Sequence, residues 1–222
     1  KTKEYLSRFN MISVREKQGA EIVEKLTGKK AEVCCDPTVL TDRKRWDELS
    51  EDCPFVSEKY IFCYFIGNNP NQREFAKKLA QKTGCKILAI KHIDEYIKSD
   101  DDFGDIDYLE VGPKEFVNFI RYATYVCTDS FHGTIFSIMY NKNFFTFKRF
   151  SDSQKSSMNS RVKNILSIVG LSNRLFEESI TPEVALTYQV DWSDVNKRLN
   201  DFRKSSREYF ERAIKCLKGV QE

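Results

Sequence analysis

The chain has 222 residues, with 36 Lys and Arg against 33 Asp and Glu for a formal charge of +3, 41% hydrophobic residues and only 2 His. That composition excludes a disordered or collagen-like chain, and the length suits one large domain or one domain with part of another. Basic residues are interleaved with acids, as in Lys197-Arg198 and Arg207-Glu208, so no basic stripe offers itself to nucleic acid, and no apolar run reaches the roughly 18 residues of a membrane span.

Residues 11–14 read as a short strand and 16–26 as a helix, with Ala20, Ile22, Val23 and Leu26 at near-helical spacing and Thr27-Gly28 as the stop. A second short strand follows at 31–34. Asp36-Pro37-Thr38 ends it, and the polar stretch to Pro54 reads as a connector. The strongest strand is 60–66, apolar on both faces as a central parallel strand requires. Gly67-Asn68-Asn69-Pro70 is the loop at its carboxyl end, before a helix at 72–82 that stops at Gly84 and a strand at 86–90. The acidic segment 99–102 is expected to lie in solvent. Pro113 opens a helix through Tyr122, followed by a strand at 125–128, a helix at 131–140 and a strand at 143–147. Phe144, Phe145, Phe147 and Phe150 suit either a core strand or an interface. Residues 151–159 read as a mobile polar loop and 161–169 as a short helix. Residues 193–217 form a long charged helix with Val195, Leu199, Phe202, Tyr209, Phe210, Ala213 and Leu217 on its apolar face. Strands alternating with helices predict the α/β class, a Rossmann-like parallel sheet flanked by helices, with four strands between Tyr60 and Phe147.

The seven cysteines, Cys34, Cys35, Cys53, Cys63, Cys85, Cys127 and Cys216, show no C-x-x-C spacing, and with His92 and His132 they make no zinc pattern. Several sit in apolar runs, which points to reduced core thiols and a reducing cytoplasmic compartment.

In an open parallel sheet, ligands bind at the carboxyl ends of the strands. One such junction, Thr128-Asp129-Ser130-Phe131-His132-Gly133-Thr134, places an acid, hydroxyls, an imidazole and a glycine before an apolar helix whose N-terminus favours an anion. Gly133 would admit a ligand to the backbone, and His132 can exchange protons near neutral pH. The structural alternative is that Asp129 or Ser130 caps the helix and His132 is a satisfied, half-buried side chain. No glycine precedes Ser130 as a nucleophile elbow needs, and neither a Walker A sequence nor G-x-G-x-x-G after a strand is present. Arg15 sits at a strand end, where it can fork onto a phosphate or carboxylate or pair with adjacent Glu16. Arg161 is a further cation, or simply a surface helix residue.

Four motifs in order, Ser13-Val14-Arg15-Glu16, Asp36-Pro37-Thr38, Val111-Gly112-Pro113 leading to Phe116, and Thr128-Asp129-Ser130-Phe131-His132-Gly133, with Asp191-Trp192 before the long helix, resemble the polysaccharide pyruvyl transferase family. The resemblance implies a GT-B-like fold of two Rossmann-like domains. Residues 1–53 would then end the N-terminal domain and its linker, 54–190 would form the C-terminal domain, and 191–222 would pack back across both. It further implies transfer of a pyruvyl group from phosphoenolpyruvate to a saccharide acceptor, with no cofactor and no metal. His132 would be the general acid or base, Arg15 and Arg161 the anion contacts, and Ser130, Gly133 and Thr134 secondary phosphate contacts, with Asp129 and Glu16 in support. Two other readings compete: a GT-B-type glycosyltransferase using a nucleotide sugar, and a binding module without catalysis.

Overall fold

The computed structural model describes residues 1–150, 159–177 and 179–217. The chain begins with α1 (Thr2–Ser7), then β1 (Ser13–Val14), α2 (Lys17–Thr27) and β2 (Glu32–Val33), a parallel βαβ fragment in which Ser13 lies opposite Glu32. Gly28, at φ 73°, ends α2 in the left-handed conformation that glycine adopts without penalty.

The expected connector from 36 to 54 holds two helices, α3 (Pro37–Leu40) and α4 (Arg43–Ser50). Each is started by an aspartate: the Asp36 carboxylate accepts from the Thr38 N–H, and that of Asp42 from the Lys44 N–H. Capping, rather than an apolar stripe, defines them, which is why hydrophobic spacing passes over them.

The main sheet is built from β3 (Tyr60–Tyr64), β4 (Lys86–Ile90), β5 (Ile106–Tyr108), β6 (Tyr125–Thr128), β7 (Asn143–Phe147) and β8 (Leu175–Phe176). Between them run α5 (Pro70–Thr83), α6 (Pro113–Tyr122), α7 (Phe131–Met139), α8 (Asn159–Ile168) and, after β8, α9 (Pro182–Ala185) and α10 (Trp192–Leu217). All six strands are parallel, in the order β5-β4-β3-β6-β7-β8. The sheet therefore has six strands where four were expected. The additional two are edge strands of three and two residues, too short to show a period.

Two apolar layers cover the sheet. Tyr60 and Phe62 of β3 face the layer shared with α6, α7, α8 and α10, while Ile61 and Cys63 face the layer shared with α5. Phe144, Phe145 and Phe147 of β7 are buried, so that segment is core. Along α10 the buried stripe is Val195, Leu199, Ser206 and Tyr209, with Phe202 half-buried; Phe210 lies off it and is 37% exposed, contrary to expectation. Residues 151–158 of the expected mobile loop, and the Leu217 side chain, lie outside the described residues. Among the described residues no helix is long and apolar enough to cross a membrane.

The acidic segment at 99–102 was expected in solvent, but Asp100 is 9% exposed, drawn in by its pairing with Arg73 and His92. The order of strands reverses between β3 and β6: the chain runs outward through β4 and β5, then returns to β6 beside β3 and continues to β7. The crevice at the carboxyl ends of these two strands is the place where such sheets bind ligands.

Candidate active site

The β6–α7 junction lies on that crevice, and its own side chains build the turn. Thr128 Oγ1 donates to the Tyr64 carbonyl at 2.6 Å and accepts from the Ser130 N–H at 3.0 Å, tying β6 to β3. Ser130 is the N-cap of α7, its Oγ accepting from the Gly133 N–H at 3.3 Å. A Cβ on Gly133 would sit 2.6 Å from Thr128 Oγ1, so the glycine lets the first turn of α7 lie against the strand. Thr134 Oγ1 donates to the Ser130 carbonyl and meets Thr146 Oγ1 at 3.1 Å. Ser130, Gly133 and Thr134 are thus buried in the frame under the helix end, and the capping alternative holds for Ser130. The opening for a ligand expected at Gly133 is filled by Thr128. Asp129 also faces inward: its oxygens accept from the N–H groups of Ile66 at 2.7 Å and Gly67 at 2.8 Å, and Arg149 Nε lies 3.9 Å away.

At the mouth of the crevice the chain brings together residues far apart in sequence. The Arg15 guanidinium, at the end of β1, donates to Asp36 Oδ2 at 2.5 Å, and Asp36 Oδ1 lies 4.0 Å from His132 Nε2. The guanidinium carbons of Arg15 and Arg161 sit 5.9 and 5.6 Å from the centre of the Phe131 ring, beside His132. Arg15 and His132 keep side-chain exposures of 43% and 50%, so both remain available to a solute, whereas Asp36 is buried. Asn164 of α8 fixes the arrangement, donating to the Arg15 carbonyl at 3.3 Å and accepting from the Lys17 N–H at 3.4 Å.

Electrostatics follow from this geometry. Burial pushes the Asp36 carboxyl up, but the Arg15 and Thr38 hydrogen bonds outweigh it and hold the group below the usual carboxylate range. Burial pulls His132 below the ordinary imidazole value; Asp36 opposes this, and Arg15 and Arg161 add to it. The unliganded imidazole is therefore biased toward its neutral form and faces a site of positive potential.

Arg15 pairs with Asp36 and not with Glu16, whose Oε2 is buried without a hydrogen-bond partner among the described residues. Asp36 and Asn164 are the members that the sequence reading missed. Asp36 was visible as the end of a strand and within the Asp36-Pro37-Thr38 motif, without a role of its own, and Asn164 carried no signal. Among the described residues no three His, Cys, Asp or Glu side chains gather to hold a metal ion.

The sequence profile of the family described as polysaccharide pyruvyl transferase matches residues 1–149, a segment containing Arg15, Asp36 and His132 but not Arg161. No curated protein matches the sequence. Among solved structures, one assigned as a UDP-N-acetylglucosamine 2-epimerase from Listeria monocytogenes superposes with a TM-score of 0.51 at 11% identity, covering 87% of this chain and 53% of its own. The wall teichoic acid polymerase TagF gives 0.47 at 13% identity, over 98% of this chain and 59% of its own. The glycosyltransferase SnogD from Streptomyces nogalater gives 0.43 at 10%, over 89% and 62%. The chain thus spans about half the length of the epimerase, and at such identity the likeness is one of fold: a Rossmann-type parallel sheet flanked by helices.

Proposed function

The chain belongs to the polysaccharide pyruvyl transferase family, and from that premise we propose that it moves a pyruvyl group from phosphoenolpyruvate to a pair of saccharide hydroxyls, closing a cyclic ketal. The observation that carries this reading is the convergence of Arg15, Arg161 and His132 around Phe131 at the N-terminus of α7. Phosphoenolpyruvate presents a phosphate and a carboxylate, and two guanidinia with a helix N-terminus suit both without a metal. Asp36 holds the Arg15 fork in place. The burial of Ser130, Gly133 and Thr134 supports a framing role, in which they aim the helix end at the phosphate instead of touching it. Asp129 serves through the loop it clamps, and Glu16 through its place at the start of α2.

In the reaction, His132 delivers a proton to the vinyl CH2 carbon, which leaves an oxocarbenium-like centre at C2. A sugar hydroxyl oxygen bonds to C2 and returns a proton to His132. The C2–O bond to phosphate then breaks, the second hydroxyl closes the ketal, and its proton leaves on the phosphate. A nearby trianionic donor favours the imidazolium, so binding charges the acid that the first step uses. The seven cysteines are free thiols, which supports action in a reducing cytoplasm.

Thermal unfolding with phosphoenolpyruvate tests the reading. A hundredfold excess over the dissociation constant adds about 2.7 kcal/mol of stability, a readily visible shift. No shift at large excess overturns it; a shift with a nucleotide diphosphate sugar instead returns the site to glycosyl transfer, and no shift with either leaves a binding module.

A further inference from the structure

A second cleft opens on the same edge of the sheet, at the carboxyl ends of β3, β4 and β5. It encloses about 310 Å³ and is lined by Tyr64, Ile66, Ile90, His92, Val111 and Phe116. Tyr64 is the register partner of Thr128, the residue that precedes the Asp129–Thr134 turn, so the cleft and the His132 mouth lie at adjacent strand ends. They also share one face: Phe116 packs on Tyr64 at 5.1 Å between ring centres and on Phe136 of α7 at 6.0 Å.

The wall of this cleft is prebuilt. Every peptide group of Ile66-Gly67 is held by a charged or ionisable side chain: Asp129 takes both N–H groups, His92 Nε2 meets the Ile66 carbonyl at 3.2 Å, and Arg73 donates to the Gly67 carbonyl at 3.0 Å. Asp100 joins the last two, accepting from Arg73 Nε at 2.6 Å and meeting His92 Nδ1 at 2.7 Å. His92 thus bridges Asp100 and the Ile66 carbonyl, one ring nitrogen facing each. Locking a buried charged network into one loop is the support that a preformed binding wall needs.

The chemistry of the cleft selects its occupant. Two aromatic rings form an apolar wall, and Lys91, His92 and Asp94 lie at the polar side. Lys91 is already paired with Asp107 at 2.7 Å, and Asp94 adds a negative charge, so a diphosphate finds no spare cation there. A neutral ring with an apolar face and hydroxyls on its edge fits, and the volume is at the small end of ligand pockets.

We infer that this cleft is the acceptor subsite and binds a pyranose ring, its C–H face on Tyr64 and Phe116 and its hydroxyls toward the exposed Asp94 carboxylate. The inference rests on the pyruvyl-transfer reading. It places the acceptor hydroxyls beside the strand end that carries the donor.

Saturation-transfer NMR on the full chain, with methyl β-D-glucopyranoside and methyl β-D-galactopyranoside at about 10 mM, enough to fill a millimolar site, reads binding directly. Leu109 is 58% exposed at the rim, so Leu109→Trp blocks the mouth without a core change, and Phe116→Ala removes the platform. The expected result is transfer to at least one pyranoside that falls about fivefold or more in both variants, with the phosphoenolpyruvate shift in Leu109→Trp unchanged. Absence of transfer with a normal phosphoenolpyruvate shift overturns the subsite and spares the transfer reading. Transfer undiminished in Leu109→Trp, or transfer to uridine diphosphate and to neither pyranoside, also overturns the subsite. Pyranoside binding without any phosphoenolpyruvate shift overturns the acceptor assignment together with the reading it rests on.

Discussion

The strand ends of β3 and β6 lie side by side in the sheet, and each gathers charged groups and a histidine around it, yet the two use them in opposite ways. Around the loop after β3, Arg73 of α5 and His92 and Asp100 from beyond β4, with side chains 3%, 15% and 12% exposed, bond to one another and hold the Ile66-Gly67 backbone. After β6, His132 is half exposed, and the nearby Arg15 is held on one side by Asp36 and open on the other. Charges that satisfy each other fix a backbone; charges left partly unsatisfied at a helix N-terminus hold potential for a ligand. The difference teaches that polar residues at a strand end do not by themselves mark chemistry. Their remaining hydrogen-bonding capacity does.

Substitutions can break this contrast. The largest effect is expected from His132→Gln, which should lower phosphate release from phosphoenolpyruvate by about 10²–10⁴-fold, the range for losing an acid–base group, with the unfolding midpoint little changed. Wild-type turnover in that variant would remove His132 from the mechanism. Asp100→Ala should do the reverse, costing about 3–5 kcal/mol in urea unfolding because Arg73 is left buried and unpaired. A loss below about 1 kcal/mol would show that the network is wet and replaceable, like a surface pair.

Arg15→Lys sharpens the comparison from the open side. Lysine keeps the charge and loses the fork, so donor affinity should fall about tenfold while stability changes by less than about 1 kcal/mol. An unchanged Michaelis constant for phosphoenolpyruvate would count against the clamp. The smallest effect concerns pH. His132 is held below its unfolded value, so the unfolded chain binds its proton first, and the free protein loses stability as pH falls below roughly 6.5. Donor binding has the opposite sign, because the anion raises the imidazole pKa and a proton is taken up. Calorimetry near neutrality in two buffers of different ionisation enthalpy should give different heats, and identical heats would contradict proton uptake at this site.

Much of the architecture was legible in the residues. β3 announces itself by Tyr60-Ile-Phe-Cys-Tyr64, apolar on both faces, and α10 by its spaced apolar residues. The β6–α7 junction was legible because so many polar types crowd one strand end. What escaped was local structure that lacks a period, such as the two-residue β8 and the aspartate-capped α3 and α4. Phe210 was misplaced because the buried stripe turns past it through Ser206 to Tyr209. At the site, the residues of one motif divided: His132 faces the crevice, whereas Ser130, Gly133 and Thr134 belong to the frame.

By itself the sequence determined the α/β class, the central strand and the junction carrying His132, because these depend on spacing within a few residues. Only the tertiary structure decided that Arg15 takes Asp36 as its partner instead of Glu16, and that Arg161 joins it beside Phe131. It alone buried Asp100 between Arg73 and His92. Such pairings are set by which elements the sheet order brings together, and the reversal between β3 and β6 creates neighbours across the chain that no local pattern encodes.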